Sequence, residues 1–332
     1  MALHRIANPV PPQHAHQHTI QATISPRPGK INIYFYLPRD YQQHKSGKRY
    51  PLLVNFHGGG FTLGAGTDDC RWFRAVMEKT DAIIATIDYR LAPEYPFPTA
   101  VEDGVDAILW LVSRADELGI DLNRGIVLSG FSAGANLVFT IPLKLDQMRQ
   151  QASEDINSDK VAQLLQKIQL TGLISWYPPT DYTITRPKRN ATNPRPEAGL
   201  PRYLTSLFDQ SYLHPPGCER DVLVSPALAS DEQLMRALPS HIWIYTCEYD
   251  DLCDEGRRFA ERLHLLGRDQ DEEFRITTEG GRKIVRYEMI PGVPHAWDKA
   301  PNPLWVNEIA HARYQHAVEG LRRLWEGNQS GN

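Results

Sequence analysis

The chain of 332 residues has little cysteine, no basic excess and no long uninterrupted apolar run. Each shortage excludes something. Cys70, Cys218, Cys247 and Cys253 form no Cys-x-x-Cys pair and are too sparse for a disulfide framework, so free buried thiols are expected. No apolar run approaches the roughly 18 residues that a membrane-spanning helix needs. The opening MALHRIANPVPPQHAHQHTI lacks the apolar core of a signal peptide, and the expected location is therefore cytoplasmic. The sequons at Asn190 and Asn328 mean little without a secretion signal. With 36 basic and 40 acidic residues the net charge is -4, which argues against a nucleic-acid partner. The short basic cluster from Arg186 to Arg189 reads as a surface loop.

What is present is an ordinary globular composition, 41% hydrophobic and 23% charged, which excludes collagen-like or wholly disordered chains. The first 18 residues are rich in Pro, His and Gln. His14, His16 and His18 alternate and could share one side of a strand, binding a metal weakly, but a surface arm or lid explains them more simply. HTIQATI and INIYFYLP then read as two antiparallel strands joined by a Pro-Gly turn.

The period then changes. PLLVNF (51–56), DAIIATIDY (81–89), residues 125–129, LTGLISWY (170–177), HIWIYTCEYD (241–250) and KIVRYEMI (283–290) are short apolar runs suited to buried strands. Helical patterns separate them, over about 68–79, 99–114, 133–150 and 255–266, with a last helix expected over Pro303–Trp325. Pro142 is expected to kink the helix over 133–150 or end its first part. Strand and helix in alternation predict an α/β fold, a mostly parallel sheet covered on both faces. One domain over 1–332 accounts for the length, with cap elements at about 1–28 and 178–220.

Two motifs carry chemistry. Gly130-Phe131-Ser132-Ala133-Gly134 matches Gly-x-Ser-x-Gly and lies between a predicted strand and a predicted helix. That context turns a weak pentapeptide into a candidate nucleophile elbow with Ser132 at its tip. His57-Gly58-Gly59-Gly60 follows another strand, and successive glycines can turn backbone N–H groups toward a developing oxyanion. Gly59, Gly60 and Ala133 are the candidate donors, and His57 is better placed to orient its loop than to act as a base. A serine nucleophile needs a base and an orienting acid, in the chain order Ser, acid, His. Asp250 closes a late strand and His295 follows the last one, so both belong at the sheet's carboxyl edge. Asp251 is the nearest substitute for Asp250. Glu248 reads as surface, Asp254 as a helix cap, and His241, His311 and His316 as structural or exposed. Among aromatics, Trp176, Tyr177, Tyr203 and Phe208 could line an acyl pocket, although core packing is the simpler role.

Taken together, HGGGF (57–61), DYRLAPEYPFPTAVED (88–103), GFSAGAN (130–136), VSPALA (224–229), CEYDDLCDEG (247–256) and GVPHAW (292–297) resemble the hormone-sensitive-lipase-like carboxylesterases of the α/β-hydrolase superfamily. The resemblance covers about Pro51 to Trp325. It implies the α/β-hydrolase fold, a Ser132–His295–Asp250 triad, an oxyanion hole from Gly59, Gly60 and Ala133, and a cap built partly from the N-terminus. It also implies hydrolysis of a small-molecule ester of short or medium acyl chain with no cofactor, and Tyr89 to Glu94 as a support beneath the site. A homodimer would follow from family habit alone. The family usually has an acid before the serine and Gly-Gly after the alanine, where this chain has Phe131 and Ala135. The stretch 150–223 and an acidic insertion near 269–281 are long for the family.

The same machinery could act on a lactone, amide or thioester, or transfer the acyl group to another acceptor. A non-catalytic small-molecule receptor of the related plant type would lack the histidine that stands here as His295. A metal hydrolase would need an HExxH or comparable spacing, which the sequence lacks, so no metal is expected.

Overall fold

A computed structural model describes residues 6–152, 160–266 and 283–329. The elements run in the order β1 (Ala7–Asn8), β2 (His16–Gln21), β3 (Lys30–Tyr36), β4 (Leu52–Phe56), α1 (Cys70–Lys79), β5 (Ile83–Asp88), α2 (Thr99–Ser113), α3 (Ala115–Leu118), β6 (Ile126–Phe131) and α4 (Ala133–Gln151). They continue with α5 (Lys160–Lys167), β7 (Leu170–Trp176), α6 (Arg186–Asn190), α7 (Arg202–Tyr212), α8 (Asp231–Ala237), β8 (His241–Tyr249), α9 (Cys253–Leu266), β9 (Ile284–Pro294), β10 (Asn302–Val306) and α10 (Glu308–Gln329).

Eight strands form one sheet in the order β2-β3-β5-β4-β6-β7-β8-β9. β3 runs antiparallel to both of its neighbours, and every pairing from β5 to β9 is parallel. The α/β reading is thus the observed architecture. Its physical basis is visible strand by strand. Leu52, Val54 and Phe56 of β4 join one core layer and Leu53 the other; in β6, Ile126 and Leu128 part from Val127 in the same way. Because side chains alternate across a strand, continuous apolar runs supply both faces at once. Val105 and Ile108 of α2, Leu137 and Ile141 of α4, and Phe259 and Leu263 of α9 cover the first face. Trp72 and Val76 of α1, with Tyr314, Val318 and Leu321 of α10, cover the second.

Three expectations change. The last helix begins at Glu308 rather than Pro303, because Asn302–Val306 pairs in parallel with Ala7–Asn8. Asn307 then accepts the Ala310 N–H and starts the helix. Pro142 lies inside an unbroken α4, held by surroundings that bury the helix from Ala133 to Leu143. The antiparallel pair expected from HTIQATI and INIYFYLP forms, but its first strand starts earlier, at His16, so His16 and His18 belong to the outer edge strand rather than to a surface arm and stack on Phe35 and Trp110. Among the described residues no group of three or more His, Cys, Asp or Glu is placed to hold a metal, and no helix is long and apolar enough to cross a membrane. The four cysteines are free. The acidic stretch 269–281 lies outside the described residues.

Candidate active site

Ser132 stands between β6 and α4 with φ 51° and ψ -115°, a conformation that non-glycine residues rarely adopt. Its neighbours make the turn feasible. A Cβ on Gly134 would lie 2.0 Å from the Phe56 carbonyl oxygen, so α4 can cross β4 this closely only with a bare backbone there. The Ser132 N–H donates to the Trp176 carbonyl at 2.9 Å, which ties the elbow to the neighbouring strand.

Asp250 follows β8 directly and His295 follows β9 directly. β9 runs four residues past the apolar pattern that announced it, and this extension brings His295 level with the elbow. His295 Nε2 is 2.9 Å from Ser132 Oγ, and Nδ1 is 2.7 Å from Asp250 Oδ2. An ionised carboxylate can only accept, so Nδ1 carries a proton, and in the neutral imidazole Nε2 is then bare toward the serine hydroxyl. Asp250 is 3% exposed, and its other oxygen accepts the Leu252 N–H at 3.1 Å. The rivals lie elsewhere in function: Asp251 accepts from Asn193, Glu248 from the Gly292 N–H, and Asp254, inside the first turn of α9, pairs with Arg257 and Arg258.

The glycine loop follows β4. The His57 ring is buried, stacks on Tyr89 at 4.2 Å, and donates from Nδ1 to the Gly58 carbonyl at 2.7 Å. The Tyr89 hydroxyl in turn donates to the His57 carbonyl at 2.8 Å, so the DYRLAPE block supports this loop from below. Gly60 has φ 60°, and the Phe208 ring of α7 rests where its Cβ would be.

A cavity of about 310 Å³ opens over Ser132 and His295, walled by Leu63, Phe131, Tyr177, Leu200, Leu204 and Phe208, with Gly59, Gly60, Asp68 and Lys299 also on it. Two of the four aromatics singled out in the sequence therefore reach the cavity. Trp176 is fully buried behind it, and Tyr203 is 76% exposed on the outer side of α7. A larger cavity of about 800 Å³ lies near Thr171 and Ser240 at the opposite, amino end of β7 and β8 and touches none of these residues. Lys299, which no local sequence signal marks, bridges Asp69 and Asp298. Tyr177 has a structural role besides lining the cavity: at φ 45° it sets its ring edge-on to His295, 4.8 Å away, and its hydroxyl donates to Asp298 at 2.7 Å.

A serine elbow set beside strand-end His and Asp, on a sheet of this order, is the arrangement of the α/β-hydrolase class. The chain belongs to the alpha/beta-hydrolase family of esterases and lipases, for residues 53–297 match the family model described as alpha/beta hydrolase fold. It is similar to the esterase LipI of Mycobacterium tuberculosis, 30% identical over 265 residues, covering 78% of this chain and 73% of that one. It is 31% identical over 222 residues to an arylesterase of Saccharolobus solfataricus, a match covering 65% of this chain and 63% of the relative. Among solved structures, the hyperthermophilic esterase from the archaeon Pyrobaculum calidifontis superposes with a TM-score of 0.70 at 25% identity, covering 97% of this chain and 89% of that one.

Proposed function

We propose that this protein is a serine carboxylesterase of the hormone-sensitive-lipase-like branch, cleaving small-molecule esters of short or medium acyl chain through an acyl-enzyme. The observation that carries this reading is the continuous relay from Ser132 Oγ through His295 to Asp250, at 2.9 and 2.7 Å. His295 Nε2 takes the hydroxyl proton as Ser132 attacks the ester carbonyl, and Asp250 stabilises the imidazolium without itself taking the proton. The tetrahedral oxyanion is met by the N–H groups of Gly59, Gly60 and Ala133. Ala133 is the first residue of α4, whose leading N–H groups have no acceptor within the helix and carry its positive dipole end. One such donor is worth about 3 kcal/mol in the transition state. His295 then protonates the departing alcohol, and water repeats the attack on the acyl-enzyme.

Residues 178–220 act as the cap in this reading, since Leu200, Leu204 and Phe208 roof the cavity. None of residues 6–28 lines it. The cavity of about 310 Å³ suits a small or medium acyl group. Apart from the attacking water, every group this cycle uses is a side chain or backbone N–H of this chain, with no cofactor required.

The test is a panel of p-nitrophenyl esters from acetate to palmitate, run on the parent and on Ser132→Ala. Turnover of the short esters should fall about 10⁴-fold or more in the variant, with the fold retained by circular dichroism. Parental turnover in a rigorously purified Ser132→Ala protein would refute the assignment, and a parent that prefers palmitate would refute the acyl range.

A further inference from the structure

Lys299 stands four residues after His295 and faces the same cavity. Its ammonium lies 2.8 Å from Asp69 Oδ1 and 3.0 Å from Asp298 Oδ2, and both carboxylates are 1% exposed. The same nitrogen sits 3.4 Å from the centroid of the Phe131 ring. An ammonium has three N–H groups; two point to carboxylates, and the remaining side meets the negative face of the ring. Burial draws the Lys299 ammonium toward neutrality, but the two carboxylates outweigh it and hold the group protonated above its ordinary range.

Each contact belongs to a different segment of the site. Asp69 precedes α1 at the end of the loop that begins with the glycines, and its second oxygen accepts the Asn55 amide at 2.8 Å. Asp298 lies three residues after His295 and accepts the hydroxyls of Tyr177 and Tyr314. Phe131 immediately precedes Ser132, and its ring also stacks on Trp176 at 5.7 Å and 7°. Where the resembled family has an acid, this chain has an aromatic ring placed between an indole and an ammonium.

We propose that Lys299 is a positioning residue for Ser132, its ammonium bearing on the Phe131 ring and joining the elbow to the loops that carry Asp69 and His295. The role rests on Ser132 being the nucleophile. The alternative is purely structural: Lys299 neutralises two buried carboxylates and the ring is a bystander. The two roles separate by coupling. In the structural role, changes at 131 and 299 act independently; in the positioning role, they act through one contact.

The experiment is a double-mutant cycle in the full chain. Lys299→Met combined with Asp69→Asn removes one charge of each sign, leaving the cluster's net charge unchanged and Asp298 with its two tyrosines. Phe131→Leu removes the ring, and the triple variant closes the cycle. With p-nitrophenyl acetate, kcat per folded molecule should fall about ten-fold in each arm, KM should stay within two-fold, and the triple variant should be no worse than about two-fold below either arm. A parental kcat in the Lys299-deleted arm, or losses that multiply in the triple variant, would overturn the proposal. Should the charge-balanced variant not fold, Phe131→Leu alone decides: an unchanged kcat and an unchanged rate of Ser132 phosphonylation by a fluorophosphonate would overturn it. Ser132→Ala, run alongside, separates the two readings, because its retained turnover would sink the nucleophile assignment itself, whereas its loss with a parental Lys299 arm would sink this inference alone.

Discussion

The elbow and the segment over it are held in place by different means. At the elbow the backbone sets the turn: Gly134 permits a contact that any side chain would block, and the Ser132 N–H is bonded to the next strand. Residues 178–220 contain short helices, α6 and α7, and besides backbone bonds such as Phe97 N–H to the Tyr212 carbonyl at 3.0 Å they are fastened by side chains. Arg189 pairs with Glu255 at 2.6 Å with both groups 2% exposed, Arg186 pairs with Asp209, and Asn193 donates to Asp251. The contrast has a physical consequence. Backbone constraints admit almost no substitution, whereas ion pairs can be exchanged one at a time, so the roof can vary while the chemistry below stays fixed.

The sharpest way to break this comparison is Gly134→Ala. With 2.0 Å between its Cβ and the Phe56 oxygen, α4 must shift away from β4, and a loss of about 4 kcal/mol or more is expected. Urea unfolding would measure it, and a variant as stable as the parent would show that the elbow is looser than its packing indicates. Arg189→Met should come next. It strands Glu255, whose carboxyl is already pushed above its usual range by burial despite the arginine, at about 3–5 kcal/mol. A raised carboxyl contributes stability below its unfolded pKa and loses it as pH rises through the folded value. The deficit of Arg189→Met against the parent should therefore be largest near pH 8 and shrink toward pH 5, as thermal melts across that range would report. Turnover of acetate by the folded variant should survive while acyl selectivity broadens; loss of both together would erase the distinction between roof and elbow.

Legibility in the sequence follows the same division. The elbow is spelled locally, since two glycines flanking a serine between strand and helix state a steric requirement within five residues. Asp250 and His295 are legible because parallel strands all deliver their ends to one edge, so chain order predicts proximity; His295 lies 2.9 Å from Ser132 and 2.7 Å from Asp250. The succession of strands along the chain and the covering of both faces are legible in the apolar runs, whereas the order in which the strands lie side by side is not. Lys299 was not, because its partners Asp69 and Phe131 are far away in sequence and nothing local marks an ammonium as buried. The start of α10 was misplaced because the decisive partner of Asn302–Val306 is a two-residue strand at the other end of the chain. The roof is expected at 178–220 only as an interruption between strands, and its short helices and turns have no period long enough to announce them.

The strain at Ser132 has a further meaning for how such a protein ages and evolves. Holding a side chain at φ 51° and ψ -115° costs on the order of 1–3 kcal/mol, which a glycine would largely avoid. Ser132→Gly should accordingly melt higher than the parent, by about 1 kcal/mol net of the glycine's extra freedom when unfolded, while hydrolysing nothing. A lower melting point would show that the hydroxyl's bond to His295 outweighs the strain. On this account durability and activity compete at a single atom group. Drift left unchecked by selection for turnover would move toward a sturdier, silent protein.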